Sequence, residues 1–206
     1  MTRVCTVLGL AVVALGATMQ PAAAQERKGF WGSFGLGLGS VGISVSSETG
    51  RVSGDRQRQG IGDMSVGWAL SPRLLTGVEA KMFGLTGRFT DGAGTTTSTF
   101  DVFVTNVSGA ALFYPSSSNF YVKGGVGGSF IEASAPVNGA TLSETHGGFG
   151  LTAGAGYDLY LGRGFSITPA VGYWYGRPGM LRLGDSPALT GWRHNVVDAT
   201  LSVKFN

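Results

Sequence analysis

Residues 63–81 read Asp-Met-Ser-Val-Gly-Trp-Ala-Leu-Ser-Pro-Arg-Leu-Leu-Thr-Gly-Val-Glu-Ala-Lys, and folding this stretch back on itself decides the fold. Ser71-Pro72-Arg73 supplies the turn, with serine and proline as its turn-forming residues. Pairing then sets Leu70 against Leu74, Trp68 against Thr76, Val66 against Val78 and Met64 against Ala80. All eight lie on one face by the two-residue period of a strand. The other face pairs Ala69 with Leu75, Gly67 with Gly77, Ser65 with Glu79, and Asp63 with Lys81. One register thus separates apolar from polar residues and sets opposite charges across from each other. A slip of one residue would destroy both arrangements. The stretch is an antiparallel hairpin.

The same pattern recurs. Strand-like runs open at Phe30, Leu74, Phe120 and Phe165, about 45 residues apart, and their partners end near Leu70, Tyr114, Leu159 and Phe205. Phe34, Leu36 and Leu38 alternate with glycines; Val197, Ala199, Leu201, Val203 and Phe205 alternate with Asp198, Thr200, Ser202 and Lys204. Four hairpins give eight strands. Their connections are short near 71–73, 114–119 and 160–164, and long, polar and glycine-rich at 46–58, 84–98, 131–145 and 176–191. Pro169 falls inside a strand, where its missing N–H predicts a bulge or local irregularity.

Composition narrows the class. Of 206 residues 36 are glycine, only 13% are charged, and the formal net charge is +3. That lacks the concentrated basic face of a nucleic-acid binder. The start has the order of a secretory signal: Arg3, the apolar stretch Val4 to Ala17, then Ala22-Ala23-Ala24 before Gln25. The expected division is a cleaved signal peptide over 1–24 and a β-barrel domain over 25–206. Cys5 is the chain's one cysteine and falls in the signal, so no disulfide frame or cysteine metal site is expected in the rest.

Alternation alone does not say which face looks outward, and a soluble barrel with an apolar interior is the competing reading. Three features favour lipid. The polar face is mostly Gly, Ser and Thr with isolated charges, not the Lys/Glu-rich face of a solvated strand. Aromatics gather at strand ends: Tyr114, Phe120, Tyr157, Tyr160, Phe165 and Phe205 on the turn side, Phe83, Phe103, Phe130, Phe149 and Tyr173 on the loop side. Two such girdles suit membrane interfaces. Strand length also meets the roughly 9–11 residues of a tilted membrane crossing. The predicted fold is all-β: an eight-stranded antiparallel up-and-down transmembrane β-barrel, closed so that no strand edge meets lipid.

The runs FYVKGGVGGSF (120–130), GFGLTAGAGYDLYLGRGFSITPAVGYWYG (148–176) and DATLSVKF (198–205) resemble the small outer-membrane β-barrel family of Gram-negative bacteria, which includes OmpA-like, OmpX-like and opacity-type barrels. The resemblance covers roughly 30–206 and speaks to architecture more than to activity. It implies residence in the outer membrane among lipopolysaccharide, and a role in envelope integrity or adhesion through external loops. It also implies that the assembly machinery reads the aromatic end of the last strand. Here that residue is Phe205, displaced one place from the end by Asn206.

Function has few places left to reside. Eight strands enclose an interior that side chains can fill, which disfavours a general porin and leaves a narrow channel as the alternative. Inward parity gives a sparse lumen charge network: Asp63, Glu79, Lys81, Lys123, Asp158, Asp198 and Lys204, with Asp63–Lys81 and Lys123–Asp158 expected as ion pairs. A lipid A-modifying enzyme is the third reading. His146 and His194 have only Ser143, Glu144 and Asp198 as candidate partners, and His194 stands about 13 Å from Asp198 along one strand. That is too far for a triad, so each His is expected to make rim hydrogen bonds and no enzyme activity is expected. No cofactor is implied, because the runs at 35–39 and 124–128 lack the helix start that cradles phosphate. Arg51, Arg56 and Arg58, with Arg177, Arg182 and Arg193, are candidate contacts for lipopolysaccharide phosphates or a surface ligand.

Overall fold

The computed structural model describes residues 27–47, 50–53, 55–90, 96–115, 118–137, 140–183 and 186–206. The expected signal segment lies outside them. The alternating runs form ten β-segments: β1 (Gly29–Ser47), β2 (Gly50–Ser53), β3 (Gln57–Ser71), β4 (Leu74–Thr90), β5 (Thr96–Phe113), β6 (Phe120–Val137), β7 (Ala140–Tyr157), β8 (Leu159–Gly162), β9 (Phe165–Leu183) and β10 (Ser186–Phe205). β2 tops the hairpin between β1 and β3, and β8 continues β7, so the segments make eight staves. Every stave pairs antiparallel with its neighbours in chain order, and β10 pairs with both β9 and β1. The sheet is a closed eight-stranded up-and-down barrel.

The 63–81 hairpin keeps its expected register from Asp63↔Lys81 to Ala69↔Leu75. At the turn Leu74 faces Ser71 rather than Leu70, where a register shift tightens the end. The 162–164 turn depends on backbone conformation. Gly162, Arg163 and Gly164 all take positive φ (100°, 54° and 81°), so two of the three positions are the residue without a Cβ penalty.

Pro169 produces the expected local irregularity, in the form of a gap and not a bulge. It stays in register with Leu201 of β10, but on its other side pairing stops after Gly156↔Ala170 and resumes at Leu159↔Ile167. The missing donor interrupts the ladder and divides one stave into β7 and β8.

The apolar face looks outward. Leu38 is 71% exposed and Val171 59%, whereas Asp63, Lys81, Asp198 and Lys204 on the opposite face are buried. In water that arrangement would be inverted. A lipid solvent explains it, because hydrocarbon costs apolar side chains nothing and the closed ring of ladders pairs the strand backbones with one another. On β5 the outward apolar run from Phe103 to Phe113 spans one crossing, and Thr96–Asp101 rises above it.

The long connections therefore differ from expectation. Their sequences lose apolar alternation where the chain leaves lipid, yet the ladders continue nearly to the hairpin tips, for example Val137↔Ala140 and Thr90↔Thr96. The external segments are extensions of the barrel wall.

Gly67 and Gly77 face each other across β3 and β4, and a Cβ on either would overlap backbone atoms of the other strand. Gly77→Val is expected to abolish the heat-modifiable folded band on gels, while the neighbouring outward change Val78→Ala leaves it intact. Normal folding of Gly77→Val would refute this close approach.

Candidate functional site

The lumen is filled along its length in three layers. At the turn end, Trp31, Leu75, Leu112, Tyr114 and Tyr121 form a buried cluster. At the external end, Val41, Ile61, Phe83, Val102, Val104, Ile131, Trp174 and Val196 form a second. Charged groups occupy the space between and around them.

Phe83 and Tyr114 correct the girdle assignment. Both face inward, at 2% and 0% exposure, because their parity is that of Lys81 and Leu112. Of the other aromatics expected in the girdles, Phe103, Phe120, Phe130, Phe149, Tyr160, Phe165, Tyr173 and Phe205 are exposed outward.

The charged residues pair across the lumen. Lys81 Nζ lies 3.2 Å from Asp63 and donates to both carboxylate oxygens of Asp198 at 3.0 and 2.9 Å. Lys123 pairs with Glu79 and lies 3.6 Å from Asp63, while Thr152 Oγ1 donates to Glu79 at 2.9 Å. The Asp63–Lys81 pair is formed as expected. The Lys123–Asp158 pair is not: Lys123 faces Gly154, and Asp158 lies four residues further along that stave, about 13 Å away at strand rise.

Asp158 instead organises the turn-side cluster. Lys204 Nζ lies 3.1 Å from it, the Tyr114 hydroxyl donates to it at 2.7 Å, and Thr168 Oγ1 donates at 2.9 Å. Arg27, which the sequence reading missed, completes this seat. Its guanidinium stacks 3.5 Å above the Tyr114 ring, lies 3.9 Å from Asp158 and donates to Asn119 at 3.2 Å. Arg27 precedes β1, so strand parity gave no signal for it. The four carboxylates of the two clusters (Asp63, Glu79, Asp158, Asp198) are matched by four cations (Lys81, Lys123, Lys204, Arg27), as buried charge requires. The cavity among them, bordered by Asp63, Glu79, Lys123 and Lys204, has a volume of about 20 Å³, room for roughly one water.

His194 sits in the external apolar cluster, not at the rim. It packs edge-on against Phe83 and Trp174, with Nε2 3.5 Å from Ser129 Oγ. This Ser–His contact is fully buried, so neither side chain can reach a substrate. His146 meets Glu144 at 3.4 Å nearer the loops. Among the described residues, no group of three or more His, Cys, Asp or Glu side chains could hold a metal.

Outside, a polar collar rides above the lipid-facing band. Arg56 is tied down, donating to Ser40 Oγ at 2.9 Å and to Asn195 Oδ1 at 2.5 Å. Arg58 and Arg177 are exposed, and Arg193 is half-buried with no acceptor at Nε among the described residues. Arg51 lies in β2 and Arg182 in β9, and their side chains fall outside the described residues.

The class that this inverted, sealed barrel defines is the integral outer-membrane β-barrel. The outer membrane protein beta-barrel domain model matches residues 9–176, and the chain belongs to that family. Its place is the outer membrane. Among solved structures, the attachment invasion locus protein Ail of Yersinia pestis, in complex with the heparin analogue sucrose octasulfate, is similar at a TM-score of 0.53 and 13% identity. That match covers 86% of this chain and 99% of Ail. OprG of Pseudomonas aeruginosa is similar at 0.53 and 12% identity, covering 90% of this chain and all of OprG. At these identities the likeness shows the fold. No curated protein sequence matches.

Proposed function

We propose that this outer-membrane barrel is a non-conducting, non-enzymatic envelope protein that presents stiff β-hairpins at the cell surface. The observation that carries the reading is the lumen, closed by two apolar clusters with charge-matched side chains between them. A conducting path would need a continuous polar opening, and an enzyme would need a reachable nucleophile. The hairpin extensions and the collar are then the surfaces free to act.

In this reading residues 1–24 are a signal peptide removed on export and 25–206 the barrel. Phe205, whose ring stands 6.0 Å from Phe30 at the seam where the barrel closes, is the residue the assembly machinery reads. Arg58, Arg177 and Arg193 stand at the level of the lipopolysaccharide phosphates, where an anionic lipid or an acidic partner can meet them. The sulfated ligand in the Ail structure supports a polyanionic surface ligand for cationic hairpins of this kind.

Planar-bilayer recording of the purified protein tests the reading, with no unitary currents as the expected outcome. Steady unitary currents would establish the narrow channel in its place. Mass spectrometry of lipid A from cells with and without the protein is expected to show identical species, and a lost or added acyl chain would establish an enzyme.

A further inference from the structure

The collar is divided by sign. On β5 and β6 the first outward charged residue above each lipid-facing aromatic is acidic: Asp101 above Phe103, and Glu132 above Phe130. Neither meets a cation among the described residues. Asp101 accepts from Thr86 Oγ1 at 2.8 Å and Glu132 from Ser143 Oγ at 3.0 Å. On β9, β10 and β3 the corresponding outward residues are basic: Arg177 above Tyr175, Arg193, and Arg58. Counting staves around the ring, β5 and β6 are fourth and fifth, and β10 and β1 are eighth and first. The two arcs are diametrically opposed.

The lipid-facing relief follows the same division. Below the acidic arc, near the turn end, a shallow groove is lined by Thr76, Gly77, Gly109, Ala111, Gly124 and Val126. Below the basic arc, on β1 and β10, Phe34, Leu36, Leu201 and Val203 stand out as a ridge, all more than half exposed. Groove and ridge lie at matching distances from the turn-side strand ends. Small residues let backbones approach closely where apolar burial itself gives no drive, and opposed charges fix the register of such a contact.

We infer that copies of this chain associate side by side in the membrane, the grooved β4–β6 face of one, with its acids on β5 and β6 and Arg88 at a register position on its β4 margin, docking on the basic, ridged β1–β10 face of the next. A lipid phosphate could satisfy the arginines. It would repel Asp101 and Glu132, whereas a second copy satisfies both arcs. Two-fold pairing is ruled out by sign, since acid would meet acid and base would meet base. The contact is heterologous, and opposed faces relate neighbours by translation, which generates straight rows rather than rings. This inference is independent of whether the lumen conducts.

Because Cys5 is the only native cysteine, introduced cysteines report cleanly. Thr145→Cys lies beside Glu132 and Ser44→Cys beside Arg193. The full chain is expressed in the outer membrane and treated with a short bis-maleimide. Neither single variant should cross-link alone, the two co-expressed should give dimers and nothing larger, and the double variant should give a ladder. Asp101→Arg with Glu132→Arg in the Thr145→Cys copy should abolish the dimer. Arg177→Glu with Arg193→Glu in its partner should restore it. Heat-modifiable migration confirms that each variant is folded. Cross-linking of either single as strong as the mixture overturns the proposal. So does a mixture no better than the singles, and if charge reversal then alters only lipopolysaccharide co-purification, the arginine arc is a lipid site.

Discussion

Replacing Lys81 with methionine should lower the unfolding free energy of the barrel by about 3–5 kcal/mol, the usual cost of removing one partner from a buried ion pair. Lys81 is the cation that holds Asp198 and shares Asp63, at 2.9 and 3.2 Å. Without it Asp63 retains Lys123 at 3.6 Å, but Asp198 has no other cation within ion-pair distance among the described residues. A carboxylate left without its ion-pair partner in the narrow lumen is costly unless water reaches it. Urea unfolding in lipid vesicles gives the measurement. The companion variant Lys81→Met with Asp198→Asn removes the orphaned charge and should recover most of the loss, because replacing both members of a buried pair is often nearly neutral. If the single variant were as stable as the parent, the lumen would have to be wet enough to solvate Asp198, and the picture of a dry, charge-matched interior would fail.

How far this architecture could be read beforehand depends on which solvent each residue meets. Inside the lipid band the strand pattern and its outward apolar face were legible. Leu36, Leu38, Val197 and Leu201 alternate with small or polar residues because hydrocarbon on one side and a crowded lumen on the other impose a two-residue period. Above the band no apolar face is needed, so Thr96–Ser98 and Ala140–Thr145 carry no alternation and read as loop, although their ladders continue. Parity also gave each charged side chain its face without giving its partner. Asp63 and Lys81 were paired correctly because they are cross-strand neighbours. Lys81–Asp198, Lys123–Glu79 and Lys204–Asp158 reach across the lumen between staves far apart in sequence, and strand spacing contains no such information. Phe83 and Tyr114 were misplaced for a related reason. An aromatic near a strand end suits a girdle by type, but only its parity says that it faces inward. Arg27 lies before the first strand, where there is no parity to read.

Trp174→Ala should cost about 3–5 kcal/mol of stability and still leave the barrel closed to ions. The Trp174 ring packs 5.4 Å from Phe83 and from His194 and is fully buried. Its Nε1 has no hydrogen-bond partner among the described residues, so truncation removes packing and no bond. Ser129 and His194 line the resulting space and could hold a water there, which would bring the cost toward the lower end of that range. Conductance follows a different rule from stability, because the barriers lie in series. Below Trp174 stand the Lys81 and Lys123 ion pairs, and below those the Tyr114–Tyr121 cluster with Arg27 stacked on it. Emptying one layer leaves the other two shut. The variant should therefore unfold at lower urea and show no unitary current in the same preparation. A steady current from Trp174→Ala alone would mean that the external cluster is the only effective seal, that the charge layer already passes ions, and that the parent barrel is one side chain away from a channel.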